Sequence, residues 1–295
     1  MNCFLPMEVA SNCSTAGKGK GCMPMYKLIV LGILAGVFIA FASHAAISAT
    51  FGWPAEWAAS GLNKLVFGAT FTMGLILVVV GGAELFTGNN MFLVIAALNG
   101  DTTWGNLLRN WIIVFIANFI GSILLVGIVY FSHFHAAADG TLTAYGVKAV
   151  AIAQGKLKLS FMEAMMRGIG CNWLVCMAVW MAAAAKDVTG KIFACFFPIM
   201  GFVLSGFEHS VANMFFIPMG IQTALANPEA TATALKLSSS ADVTALFTWG
   251  NFFAGNLLPV TIGNIIGGGL FVGGLYWVAY LRKPKEVQKD TSAKA

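Results

Sequence analysis

Charge is what this chain has least of. Of its 295 residues only 10% are Asp, Glu, Lys or Arg, while 58% are hydrophobic and the mean hydropathy is +0.80. That is too little polar surface for a water-soluble globule of this length, so the composition excludes a soluble domain and points to an integral membrane protein. Catalytic signatures are missing too. There is no H-E-x-x-H, no G-x-S-x-G and no histidine cluster, and Glu208-His209 reads in the wrong order for a zinc helix. An intramembrane enzyme is left as a remote alternative. The six cysteines (Cys3, Cys13, Cys22, Cys171, Cys176 and Cys195) lack CxxC spacing, so they read as small hydrophobes, and neither metal nor cofactor is implied. Basic residues outnumber acidic ones, 17 to 12, but are scattered over loops, which gives no stripe for a nucleic acid.

Long apolar runs are abundant. Six are long enough to cross a hydrocarbon core, roughly Leu28–Thr50, Leu62–Gly82, Leu107–Phe131, Phe161–Ala185, Ile192–Ile221 and Phe247–Leu281, and all read as helices. The first starts well inside the chain and has no small-residue cleavage pattern, so it predicts a span and not a signal peptide. With both termini cytoplasmic, inside segments hold Lys18, Lys20, Lys27, Arg109, Lys186, Lys191, Arg282, Lys283, Lys285, Lys289 and Lys294. Only Lys64, Lys148, Lys156, Lys158 and Lys236 then lie outside. That bias predicts an N-in, C-in topology. The expected organisation is a cytoplasmic N-terminal segment (1–26), a six-helix pore domain (27–282) and a cytoplasmic tail (283–295).

Two of the runs carry the same polar insert. Gly82-Ala83-Glu84 leads to Asn89, and Gly206-Phe207-Glu208 leads to Asn213, so each has Gly-x-Glu with Asn five residues on. Carboxylates and carboxamides within membrane-grade segments are expensive unless they line a protein-buried cavity. Matching interruptions in two halves of a chain point to a midplane site in an inverted-repeat transporter. The halves, about 27–131 and 160–281, match further, since Asn118 to Tyr130 aligns without gaps on Asn264 to Tyr276. Three spans per half force the second half to enter from the opposite side, which predicts an inverted 3+3 repeat. Glycines around both glutamates predict that the second and fifth helices are broken, with half-helices aiming their positive ends at a small anion.

At these breaks Glu84 and Glu208 are expected to accept hydrogen bonds from the unwound backbone and hold its shape. His209 is the only imidazole at a break and is the candidate proton carrier. His44, His133 and His135 read as structural or exposed.

The segments Gly82 to Gly88 and Gly206 to Asn213 closely resemble the two signature segments of the formate/nitrite transporter family. Cys171 to Cys176 and Pro259 to Gly269 resemble its fourth- and sixth-helix segments, and the likeness runs from about Leu28 to Leu281. The resemblance implies an aquaporin-like six-helix protomer in a homopentamer, in the inner (plasma) membrane, with one pore per protomer. It implies that His209 is the central pore histidine and Thr87 the threonine opposite it. Phe71, Leu75, Leu85, Phe86, Val175 and Phe202 match constriction residues, and Lys156, Asn172, Glu208 and Asn213 match polar residues around the entrance and the histidine. Formate is the expected substrate, with nitrite or hydrosulfide as alternatives.

Physics alone adds a requirement. A bare monovalent anion crossing apolar constrictions loses several kcal/mol of hydration, far more than its neutral acid does, so a proton has to be supplied on the way. Lys156 and Lys158, outside in this topology, are expected to draw the anion in.

Overall fold

The computed structural model describes residues 3–282; the predicted tail lies outside them. Among the described residues all regular structure is helical. In the first half α1 (Pro6–Gly21) precedes α2 (Met25–Thr50), the short α3 (Ala55–Ala58), α4 (Gly61–Phe71), α5 (Met73–Gly81), α6 (Phe86–Leu98) and α7 (Trp104–Phe131). In the second, α8 (Ala144–Leu157) precedes α9 (Phe161–Ala184), α10 (Val188–Leu204), α11 (Ser210–Ala226), α12 (Pro228–Leu235) and α13 (Ser240–Leu246). A last helix, α14 (Asn251–Tyr280), closes the chain. Its turns widen to π-helix over Asn251–Leu257 and Ile266–Gly274.

Among the described residues five helical spans are long and apolar enough to cross a membrane: Met25–Thr50, Gly61–Gly81, Trp104–Phe131, Phe161–Ala184 and Asn251–Tyr280. The second joins α4 to α5. The run read as a fifth span, Ile192–Ile221, is two shorter helices, α10 and α11, because Gly206 takes a left-handed φ of +73° between them. Gly82, at φ +79°, ends α5 in the same way, and side chains with a Cβ rarely adopt that conformation.

Helix starts follow local chemistry. Ser60, Thr103, Thr143 and Asp187 each accept a backbone N–H of the first turn, and Ser160 forms a capping box with Glu163. Lipid supplies no hydrophobic drive between helices, so small residues let them approach. A Cβ on Gly121 of α7 would collide with the Ile33 carbonyl of α2, and one on Gly263 of α14 with the Met165 carbonyl of α9. The opposite side of α7 is an apolar stripe. Leu108, Ile112, Ile116, Ile120, Leu124 and Ile128 recur every fourth residue, each about half exposed, as expected of a face that meets lipid or another subunit.

The segment before residue 27 is not a detached tail. Helix α1 packs on α6 and is pinned by Ser14 Oγ donating to Asp101 (2.6 Å), while Arg109 donates to the Met23 carbonyl just beyond it. The Ser14 bond, helped by one from Asn99, lowers the pKa of the half-buried Asp101 carboxyl.

Candidate functional site: two polar breaks and a central imidazole

Each break is held by a carboxamide from the long helix that closes its half. Asn118 Oδ1 accepts the Phe86 N–H (3.0 Å), and its Nδ2 donates to the carbonyls of Gly32 (2.8 Å) and Glu84 (2.9 Å). Asn264 repeats this with the Ser210 N–H (2.9 Å) and the carbonyls of Gly168 (2.8 Å) and Glu208 (3.0 Å). This corrects the role expected of the glutamates. Unwound backbone offers both donors and acceptors, and a carboxamide can meet both, whereas a carboxylate can only accept.

Glu84 and Glu208 take charged partners instead. Lys20 Nζ lies 2.6 Å from Glu84 Oε1, and Asn89 Nδ2 donates to Oε2 (2.8 Å) and to Asn110 (2.9 Å), whose amide returns to the Lys20 carbonyl (3.1 Å). In the other half Lys156 Nζ meets both Glu208 oxygens (2.9 and 3.0 Å). Asn213 Nδ2 donates to Glu208 (2.7 Å) and to Asn256 (2.8 Å), and the Asn256 amide returns to the Lys156 carbonyl (3.0 Å). The two networks have the same connectivity, except that Lys156 reaches both carboxylate oxygens where Lys20 reaches one. Lys156, expected with Lys158 to draw the anion in, has its ammonium paired with Glu208 and lying over the Phe216 ring at 5.5 Å.

His209 is the N-cap of α11. Its Nδ1 accepts the Ala212 N–H (3.0 Å), which leaves the proton of the neutral ring on Nε2, aimed at Thr87 Oγ1 2.9 Å away. Both side chains are buried, His209 at 3% exposure and Thr87 at 0%. Around them lie two cavities with no lining residue in common. One, of about 260 Å³, is lined by Phe71, Phe202, Lys148, Lys156, Glu208 and His209 among others. The second, about 390 Å³, includes Lys20, Leu75, Glu84, Leu85, Asn89 and Lys191. They open at opposite ends of α2: Asn63 of the first bonds to the Thr50 carbonyl, while the second holds Met23, just before α2 begins.

The apolar candidates divide. Phe71 and Phe202 meet edge to face at 5.9 Å, with Phe202 stacked 6.0 Å from His209, so they floor the first cavity. Leu75 and Leu85 floor the second. Val175 is buried and lines neither. Phe86 points away from both, packing on Trp111 and Phe115. Asn172 is also off the cavities. Its amide ties the Thr87 carbonyl (3.1 Å) to Asn90 and to the Asn264 carbonyl (2.7 Å), with Cys176 Sγ beside the same Thr87 oxygen. His44 bonds Tyr145, His135 stacks on Tyr130 and His133 is exposed.

A model of the formate/nitrite transporter family matches residues 7–278. The protein belongs to the formate/nitrite transporter family. A probable formate transporter of Methanothermobacter thermautotrophicus is 41% identical, covering 94% of this chain and 97% of that one. The formate channel FocA of Escherichia coli K12 is 42% identical over 95% of each. A solved pentameric formate channel with formate bound shares 41% identity and superposes with a TM-score of 0.75 over 88% of this chain and 98% of its own. An ion channel of the family, 25% identical, gives 0.76 over 94% and 99%. The chain is thus a multi-pass membrane transporter or channel and not an enzyme, and the matched region includes α1.

Sequence reading missed Lys20, Asn110, Asn118, Asn256 and Asn264. A signal was there. Asn118 and Asn264 head the aligned segments, and Asn110 and Asn256 stand at the same spacing before them (110 to 118, 256 to 264). Lys20 and Lys156 each precede a long helix by the same five residues (20 to 25, 156 to 161).

Proposed function

We propose that the protein is a pore for small monovalent anions of weak acids, formate foremost, in which the permeant is neutralised by a proton handled at His209. Nitrite and hydrosulfide are the alternatives. The observation that carries this reading is the 2.9 Å bond between His209 Nε2 and Thr87 Oγ1, buried between two cavities at opposite ends of the bundle.

With Nε2–H directed at Thr87 Oγ1, the hydroxyl proton of Thr87 is free to point at a carboxylate oxygen. A second proton on His209 Nδ1 would displace the Ala212 N–H, so it is held at the expense of the helix cap and at the positive end of α11. Such a proton passes readily to an anion in contact. The neutral acid then crosses the apolar floors, Phe71 and Phe202 on one side and Leu75 and Leu85 on the other, without the hydration loss an ion would meet.

The halves 27–131 and 160–281 are read as an inverted 3+3 repeat with broken second and fifth helices, supported by the recurring Lys–Glu–Asn–Asn networks. A homopentamer in the plasma (inner) membrane, with both termini cytoplasmic, is supported by the pentameric relative and by the apolar α7 stripe. In that topology the Lys156 cavity opens outward. The test is flux in proteoliposomes containing only this protein. Formate, nitrite, hydrosulfide, acetate and lactate are compared across a series of pH values. Formate flux that rises as pH falls is expected; flux that neither selects by size nor responds to pH would overturn the proposal.

A further inference from the structure

The paired lysines cannot supply the net positive charge of the vestibules, because each is neutralised. Among the described residues the ion pairs are Lys20–Glu84 and Lys156–Glu208. In the cavity of Lys156 the remaining cations are Lys64, which is exposed, and Lys148, which is half-buried and has no carboxylate partner among the described residues. Lys148 is held in place. Its Nζ donates to Asn63 Oδ1 (3.1 Å), and Asn63, buried at 3% exposure, is oriented by its own amide donating to the Thr50 carbonyl (3.3 Å).

Position on the helix adds the next step. Lys148, Ile152 and Lys156 lie four residues apart on α8 and all face the cavity. At 1.5 Å per residue, Lys148 stands about 12 Å from Lys156 along the helix axis. Because Asn63 bonds to the end of α2, Lys148 is at the mouth, whereas Lys156 lies deeper beside Glu208 and His209. An ammonium has three donors, and Asn63 takes one. Two remain for a ligand in the cavity. Burial lowers the pKa of Lys148, which marks an ammonium short of solvation that an anion alongside would restore.

We infer that Lys148, tethered by Asn63, is an anion-capture station at the mouth of the outer vestibule, where a small carboxylate or similar monovalent anion docks before passing inward to Lys156 and His209. The inference rests on the anion-pore reading above and deepens it. Lys148 is a positioning residue, governing capture from one side and leaving the step at His209 unchanged. It stands outside the repeated networks, so it belongs to one mouth only.

Two readouts test it, one of them independent of transport. In the first, full-length protein in detergent is treated with an amine-acylating reagent at low salt, with sodium formate or with sodium gluconate at equal ionic strength, and labelling is read by peptide mass spectrometry. Formate should slow labelling of Lys148 severalfold and leave Lys64 unchanged. In the second, flux is measured in proteoliposomes. Lys148→Gln, which keeps a donor for Asn63, should raise the half-saturating formate concentration for transport from that side by roughly two- to tenfold with little change in maximal rate. The difference should shrink in molar salt, where screening reaches about 3 Å, and Lys148→Arg should restore wild-type behaviour. Equal labelling of Lys148 with formate and gluconate overturns the station even if the protein conducts formate. So does a Lys148→Gln variant with unchanged half-saturation. Protection of Lys148 in a protein that conducts no anion would sink the pore reading and leave the station standing.

Discussion

Removing the carboxamide of Asn264 should unfasten the second break. Leucine has nearly the same volume, so Asn264→Leu leaves packing close to intact and deletes only polar atoms. The Ser210 N–H loses its acceptor, and the carbonyls of Gly168 and Glu208 lose a shared donor, all at buried positions. An orphaned buried N–H costs about 1–3 kcal/mol, and carbonyls, which have a second lone pair, cost less, so a total of about 2–5 kcal/mol is expected. Asn264→Asp tests the same bonds from the other side. It keeps the acceptor for Ser210 but sets a second oxygen against two carbonyls, so it should also destabilise. Asn256→Leu makes a useful comparison, since it breaks the bonds to Asn213 and Lys156 and touches no break backbone. The assay is heat treatment of the solubilised protein followed by size-exclusion chromatography, with formate flux measured in parallel. Both Asn264 variants should lose the oligomer at lower temperature than Asn256→Leu, and flux should fall, because the Ser210 N–H fixes the residue next to His209. An Asn264→Leu protein with the heat resistance and flux of the parent would refute the view that this carboxamide holds the break.

His209→Asn should fold and assemble, because asparagine is a good N-cap and can still accept the Ala212 N–H; its formate flux should lose its pH dependence, and a wild-type pH profile would rule out proton handling at this residue. Leu75→Ala and Phe202→Ala each thin one apolar floor, so lactate should pass where only smaller acids did; unchanged formate-to-lactate selectivity in both variants would mean that the filter lies elsewhere. Lys156→Met and Glu208→Leu each strand a largely buried charge and should destabilise singly by about 3–5 kcal/mol at most, less where the ammonium can reach cavity water. The double variant strands neither, so the two changes should couple by about 1–3 kcal/mol. Additive losses in thermal denaturation would show that the pair is not a unit.

Much of the architecture was legible because membranes impose simple rules. Long apolar runs gave the spans, and the glycines at 82 and 206 located the interruptions, since a left-handed turn inside an apolar run needs a residue without a Cβ. The fifth run shows why both signals were needed: a hydropathy count alone sees one apolar stretch on both sides of Gly206, and the polar Gly-x-Glu insert marks where it divides into two shorter helices. Partner choice was harder to read. Glu84 and Glu208 stood out, but their lysines lie on α1 and α8, which are short helices outside the apolar runs. Linear distance hid them. Phe86 shows the same limit on a smaller scale: it adjoins Leu85 at the break, yet as the first residue of α6 it turns toward Trp111 and Phe115, whereas Leu85 lines a cavity.

The matched networks also explain why the centre is asymmetric. Lys–Glu pairs, carboxamide relays and break-holding asparagines recur in both halves, so the scaffold treats the two sides alike. The residue after each glutamate does not recur: Leu85 follows Glu84, and His209 follows Glu208. Two positions further on, Thr87 stands in the first half and Val211 in the second. Each half therefore contributes one polar member and one apolar member, and the imidazole–hydroxyl contact forms only across the two. Had both halves carried the second half's pair, histidine with valine two positions on, the imidazole would have no hydroxyl to bond. Had both carried leucine, nothing at the centre would exchange a proton. The Lys–Glu pairs sit in the matched networks and the imidazole at a position where the two segments differ, which is the separation of ions from proton that the proposed function needs.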